Sequence, residues 1–464
     1  MELTVSQEPI SARPFHGLGV QADAYIYDDD NRRMGVTDKD LALFESRLAA
    51  LRPGIVRIFA GIDLFNPSFD AKSYQWDLPG YGRLVHHLRN VKAAGAKVNV
   101  CMGPWTNEQM THEGMEKTAV DFVEHLVGEE GLDNIAWVCL FNEPDGIYAH
   151  DSALYRKVFG DDAVAKKPPW SQYVRKNVWA HEELQRRRLH PAVKLIVADT
   201  VWGHPIRAER MRMAVEDFAG LDVACAYHHY NPEYPERYDP WQYEYPGMAA
   251  EAEMFRRLVG PEREMVIWEF NNGGPGFGGF YSGTGRHGED LAGSFVGAVE
   301  IADKVLTALD SGIDGMSLWC LCDSYYNCGL KTGPMRFGLW RFRWEGWRPR
   351  PCYYYYAALV HAFRPGARLH RVAGTDAETL ALAAEADGGW TVAVLNLREA
   401  ASRVDLLPPA EGEARRLRVY RELLPTSDEM PAGAWQPAAA EKGRIALDLE
   451  PWELTVVRVE GGQA

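Results

Sequence analysis

A chain of 464 residues with 46% hydrophobic content is too long for one ordinary domain, so two are expected, one of them large. Its formal net charge of −15 argues against nucleic acid and anionic membranes as partners. The one basic run, Arg186-Arg187-Arg188, falls in a helical pattern and reads as a solvated face.

The start, MELTVSQEPISARPF, lacks the basic lead and apolar core of an export signal. No apolar run is long enough to span a bilayer, so a cytoplasmic protein is expected. Seven cysteines, most of them in apolar runs, suit buried free thiols in a reducing compartment. Cys320, Cys322 and Cys328 lack a second pair or a His spacing, so neither a metal nor a cofactor is expected. Homo-oligomerisation stays open.

Residues 1–12 hold a lone strand, Leu3 to Val5, expected to join the C-terminal domain. From residue 13 an alternation of apolar runs and amphipathic stretches begins. The runs are FHGLGV, GIVRIF, AKVNVCM, IAWVCLFNE, VKLIVADT, LDVACAYHHY, EMVIWEF and DGMSLWCL. Several intervening stretches end in Gly, as helix C-termini do. Eight such units over 13–363 predict a (β/α)8 TIM barrel of class α/β. An open doubly wound sheet would want a Gly-rich fingerprint after its first strand, and GLGVQAD lacks the third glycine. Segment 145–192 exceeds one helix and predicts an elaborated loop followed by the barrel helix. After Arg364-Pro365-Gly366 the pattern turns to short strands, predicting an antiparallel β-sandwich over 364–464.

In such barrels chemistry comes from the C-terminal ends of strands. Two apolar runs end there in a glutamate, at Asn142-Glu143-Pro144 and at Trp268-Glu269-Phe270. The fourth and seventh strands face each other, so these carboxyls could approach to about 5 Å, the separation at which one attacks a sugar and the other moves protons. Glu269 is then the nucleophile and Glu143 the acid/base. Arg57, a charge inside an apolar run, needs a carboxylate partner, and Glu269 is the candidate. His228 and Tyr230, two apart, share a face: Tyr230 could donate to Glu269 while His228 lies near Glu143. His229 points the other way and is read as structural. Trp319 floors the pocket. Trp105 and Trp202, with Tyr234, Trp241, Tyr325 and Tyr326, supply aromatic faces of the kind that suit sugar rings. The glycine-rich run at 273–285 has no following Lys-Ser or Lys-Thr, which excludes a phosphate cradle.

Asn142-Glu143-Pro144, His228-x-Tyr230, the Trp-Glu-Phe-Asn around Glu269 and Ser317-Leu318-Trp319 together resemble clan A of the glycoside hydrolases. The resemblance covers roughly 13–362. It implies Glu143 as acid/base, Glu269 as nucleophile, Asn142 as the amide that binds the sugar 2-hydroxyl, and Arg57 and Tyr230 as partners of the nucleophile. Within the clan, the closing FGLWRFRWEGWRPRPCYYYYAALVHAF and the trailing strands look like family 39, which includes β-xylosidases; families 30 and 51 share the plan. A retaining glycosidase acting on a small carbohydrate substrate is therefore expected, exo-acting and β-xylosidase-like. An endo-acting β-glycanase is the first alternative, and a non-catalytic carbohydrate-binding barrel the second.

Overall fold

The first strand, β1 (Glu2–Pro9), lies outside the barrel that the next eight strands close in parallel: β2 (Leu18–Gln21), β3 (Ile55–Phe59), β4 (Lys97–Cys101), β5 (Ile135–Cys139), β6 (Lys194–Thr200), β7 (Ala224–His229), β8 (Met265–Phe270) and β9 (Gly315–Leu318). The structure is a computed structural model that describes residues 1–67, 73–102, 114–201, 204–230, 247–272, 293–325, 334–409, 412–421, 435–441 and 443–461. Among the described residues the longer helices between and after the barrel strands are α1 (Asp38–Leu51), α2 (Pro79–Ala93), α3 (Met115–Gly128), α4 (Trp170–Arg186), α5 (His204–Asp217), α6 (Met248–Val259), α7 (Phe295–Asp310) and α8 (Pro351–Ala362).

Local chemistry sets several of these boundaries. Thr37 caps α1 in a reciprocal box with Asp40, and Ser294 caps α7 by accepting from the Gly297 N–H. The long insertion after β5 folds as two short helices, Ala153–Phe159 and Asp161–Lys166, before α4. Helices α7 and α8 are apolar nearly all round and are buried nearly all round. They lie between the barrel and a second sheet, where the four consecutive tyrosines of α8 are all buried.

That sheet has ten strands in one continuous order. Besides β1 it contains β10 (Arg368–Ala373), β11 (Thr379–Ala386), β12 (Gly389–Asn396), β13 (Ser402–Leu407) and β14 (Gly412–Val419). The short β15 (Gln436–Pro437) and β16 (Ala440–Glu441), then β17 (Arg444–Leu449) and β18 (Leu454–Gly461), complete it. Val392 and Val394 of β12 share one apolar core with Val404 of β13 and Leu447 of β17, so the sheet curls over and packs on itself as a sandwich. β1 lies between β10 and β13; it pairs antiparallel with the first and parallel with the second, the one parallel pairing in the sheet.

Inside the barrel the foot is plugged. Trp137 of β5 and Trp268 of β8 meet edge to face at 5.2 Å between centroids, and His16 packs on Trp137 at 5.0 Å. Such a barrel is a packed core, open for chemistry only at its strand tips.

Candidate active site

Two β-bulges aim the charges. Between β7 and β8 the register passes from Tyr227↔Ile267 to His228↔Glu269, so Trp268 is an extra residue on β8. Trp268 and Glu269 consequently both face inward, where simple alternation would send one outward. Between β6 and β7 the register passes from Ala198↔Ala226 to Thr200↔Tyr227, making Asp199 the extra residue. Ala198 and Asp199 hold positive φ of 72° and 43°, a backbone that side chains rarely adopt outside a special site.

The fully buried Arg57 of β3 is the hub. Its Nη1 donates to Gln21 Oε1 at 2.9 Å and to Glu269 Oε1. Its Nη2 donates to Asn142 Oδ1 at 2.7 Å and to Asp199 Oδ2 at 2.8 Å. Glu269 Oε2 accepts from the Tyr230 hydroxyl at 2.7 Å. Burial, and after it the Glu269 charge, pushes the Tyr230 phenol well above its usual range, so it stays a donor. Glu269 is thus held by a cation on one oxygen and a hydroxyl on the other.

Glu143 sits past the end of β5, at φ 51°, capping the turn Pro144–Gly146. Its side chain is 33% exposed against 4% for Glu269. One carboxylate oxygen from each, together with a His228 ring nitrogen, lie within 4.8 Å of one another. Burial raises the Glu143 carboxyl above its ordinary value against the opposing pull of His228, and the neighbouring Glu269 adds to the rise. His228 Nδ1 lies 3.1 Å from Glu143 Oε1 and 3.5 Å from Glu269 Oε2, while its Nε2 lies 3.1 Å from Asp199 Oδ1. Burial alone would lower the imidazole, but the charges of Glu269 and Asp199 and the bonds to Asp199 and Glu143 lift it to about 10. It is therefore a cation near neutral pH, with both ring nitrogens donating. Burial would likewise raise Asp199, yet Arg57 and His228 hold it at about 2. The buried frame thus balances two cations, Arg57 and His228, against two anions, Asp199 and Glu269. That balance lets Glu143 carry a proton without stranding a charge.

Trp319 follows β9 and closes one wall. Its ring stacks on Phe337 at 5.7 Å and stands edge-on to Tyr230 at 5.7 Å. Asn271 clamps it from beneath, donating to the Trp319 carbonyl and, at 3.1 Å, to that of Phe337. The Trp319–Cys320 peptide is cis. His229 faces away from the cavity, toward Glu251 at 2.6 Å on α6. Trp105, Trp202, Tyr234, Trp241, Tyr326, Cys328 and the run 273–285 lie outside the described residues.

The fold therefore brings Arg57, Asn142, Glu143, His228, Tyr230, Glu269 and Trp319 to one end of the barrel. Sequence reasoning missed Asp199, Gln21 and Asn271. Asp199 carried a usable signal, since VKLIVADT also ends an apolar run in a carboxylate. Cys101, Cys139 and Asp199 also bring donor atoms within 4.8 Å of one another. A metal there would face the Arg57 guanidinium, whose Nη2 already lies 3.4 Å from Cys101 Sγ and 2.8 Å from Asp199, so this set does not fit one.

Compared with protein-family models and with curated proteins, the sequence finds no match. Among solved structures the chain is similar to the catalytic domain of a family 30 xylanase from Talaromyces cellulolyticus, at 12% identity and a TM-score of 0.65, covering 99% of this chain and 100% of that one. A family 51 α-L-arabinofuranosidase from Bifidobacterium longum gives 13%, 0.64, 99% and 99%. A family 39 glycoside hydrolase from Bacteroides cellulosilyticus gives 13%, 0.60, 96% and 81%. At these identities the likeness establishes a shared fold, a barrel with an attached sheet running the length of the chain.

Proposed function

We propose that the protein is a retaining glycoside hydrolase of the clan A type. The observation that carries this reading is the pair Glu143 and Glu269, with carboxylate oxygens within 4.8 Å and opposite surroundings. That spacing is shorter than the roughly 6.5–9.5 Å at which an inverting pair activates a water, and it suits double displacement. Glu269, oriented by Arg57 and Tyr230, attacks the anomeric carbon. Glu143, protonated and closer to solvent, gives its proton to the leaving oxygen, then takes one from the incoming water. His228 steadies the Glu143 carboxylate between the two steps, while Asn142, held by Arg57, turns its amide toward the sugar.

Removal of single sugars from β-linked chain ends, as by a β-xylosidase, is the finer reading. Cleavage within a chain is its rival, favoured by the xylanase among the similar structures. Aryl β-xyloside, β-glucoside and α-L-arabinofuranoside, with xylan alongside, test both. Phenol release from a β-glycoside with the same anomer appearing first supports the mechanism. Measurable sugar binding without turnover on any of them supports the non-catalytic reading instead. A rapid fall in xylan viscosity identifies internal cleavage.

A further inference from the structure

A cavity of about 340 Å³ lies at the seam between barrel and sheet, within the range of small-molecule sites, roughly 300–1,000 Å³. Arg364, two residues past α8, lines it from the barrel side; Thr391 of β12 and Arg458 of β18 line it from the sheet, together with Asp387, Trp390 and Glu460. Pro365, next to Arg364, packs against Gly17 and Gly54, which precede β2 and β3. The cavity therefore opens at the foot of the barrel, away from the strand tips where Glu143 and Glu269 meet.

Its charged lining is two arginines and two carboxylates, in a chain of net −15. Arg364 and Arg458 make no ion pair among the described residues, although most arginines here do. Arg415 of β14 stands directly across from Arg458 in the sheet register, a like-charge pairing that costs stability. The Arg458 guanidinium is fixed over the Trp435 ring at 5.0 Å. Burial and the charge of Arg364 both press on Arg458, and Glu460 offsets them only in part, an arrangement that an anion between the two arginines would relieve. Around that point stand a hydroxyl, two carboxylates and the backbone of the Gly388-Gly389 turn, acceptors and donors of the kind that sugar hydroxyls use.

We propose that this pocket is a second ligand site, separate from the barrel mouth, which takes a sugar carrying a carboxylate, such as a uronic acid, with the carboxylate between Arg364 and Arg458. It does not depend on the barrel being a glycosidase. Calorimetric titration of the full chain carrying Glu269→Gln, with glucuronate, glucose and acetate as separate probes, tests it. Glucuronate is expected to bind at least ten-fold more tightly than either other probe, and to lose at least ten-fold in Arg364→Gln and in Arg458→Gln. Failure of glucuronate to bind, or equal binding in both variants, overturns the proposal. Acetate binding as tightly as glucuronate reduces the pocket to a simple anion site and overturns it also; so does equal binding of glucose, which removes the role of charge. Arg364 is exposed, so its substitution leaves the fold intact, and that arm decides alone if Arg458→Gln melts early. Hydrolysis of aryl glycosides by Arg364→Gln in the otherwise unaltered chain stays at the parent rate.

Discussion

Strand β8 has a glutamate at each end, Glu264 just before its foot and Glu269 near its tip, and only one is placed for chemistry. Both are nearly buried, at 6% and 3% exposure. Each accepts a hydrogen bond from an aromatic side chain: Trp137 Nε1 donates to Glu264 at 2.6 Å, and the Tyr230 hydroxyl to Glu269 at 2.7 Å. Each also has a basic side chain beside it, His16 at 3.2 Å and Lys194 at 3.4 Å for Glu264, Arg57 for Glu269. Burial would raise Glu264, but His16, Lys194 and Trp137 hold it at about 2. What separates the two is access and a second carboxylate. The tip faces Glu143 across the cavity; the foot faces a packed tryptophan plug. On the proposed mechanism, then, charge, burial and pairing together do not mark the nucleophile, whereas position along the strand does.

Substitution at the two ends tests that contrast. Glu269→Gln should cost about four orders of magnitude or more in kcat, while Arg57 keeps Asp199, Asn142 and Gln21. Comparable activity in the variant would erase the distinction between tip and foot. Glu143→Ala should lose about two to four orders of magnitude on poor leaving groups and less on activated aryl glycosides, with azide restoring part of the rate through a glycosyl azide. In the parent protein kcat/KM should fall as pH rises through the elevated Glu143 pKa, because the proposed acid must be protonated. At the foot, Glu264→Gln should cost roughly 3 kcal/mol of stability and leave kcat within a few-fold. The sign follows from its depressed pKa: the Glu264 contribution is complete above the unfolded carboxyl range and fades as pH falls toward about 2. Chemical denaturation at pH 7 and pH 3 should therefore show a wide gap between parent and variant at the higher pH and a narrower one at the lower. Smallest in free energy is the effect of Asp199→Asn, about ten- to a hundred-fold in kcat/KM. Losing one of the charges that lift it, His228 should titrate below about 10, a shift readable by NMR of its ring protons.

Most of the barrel was legible because its signals are local: eight apolar runs, the glycines after helices, and strand tips that end in polar groups. The same logic brought Glu143, Glu269, Arg57 and Tyr230 together on paper. Asp199 and the inward turn of Glu269 beside Trp268 depend on bulges, which alter facing without altering composition. Strict alternation cannot show them. Gln21 and Asn271 matter only through the partners the closed barrel gives them, Arg57 for the first and the Trp319 carbonyl for the second. The C-terminal sheet was readable as short strands. Its continuity, and the parallel pairing of β1 with β13, arise from contacts about four hundred residues apart.

Trapping the reaction halfway is the most direct measurement. An activated 2-deoxy-2-fluoro glycoside of the sugar that the aryl panel selects should form a stable covalent adduct, with mass spectrometry of the digested protein locating the added mass on the peptide that contains Glu269. An adduct on any other residue, or turnover of the aryl glycosides with inversion and no adduct at all, would contradict the assignment of Glu269 as nucleophile.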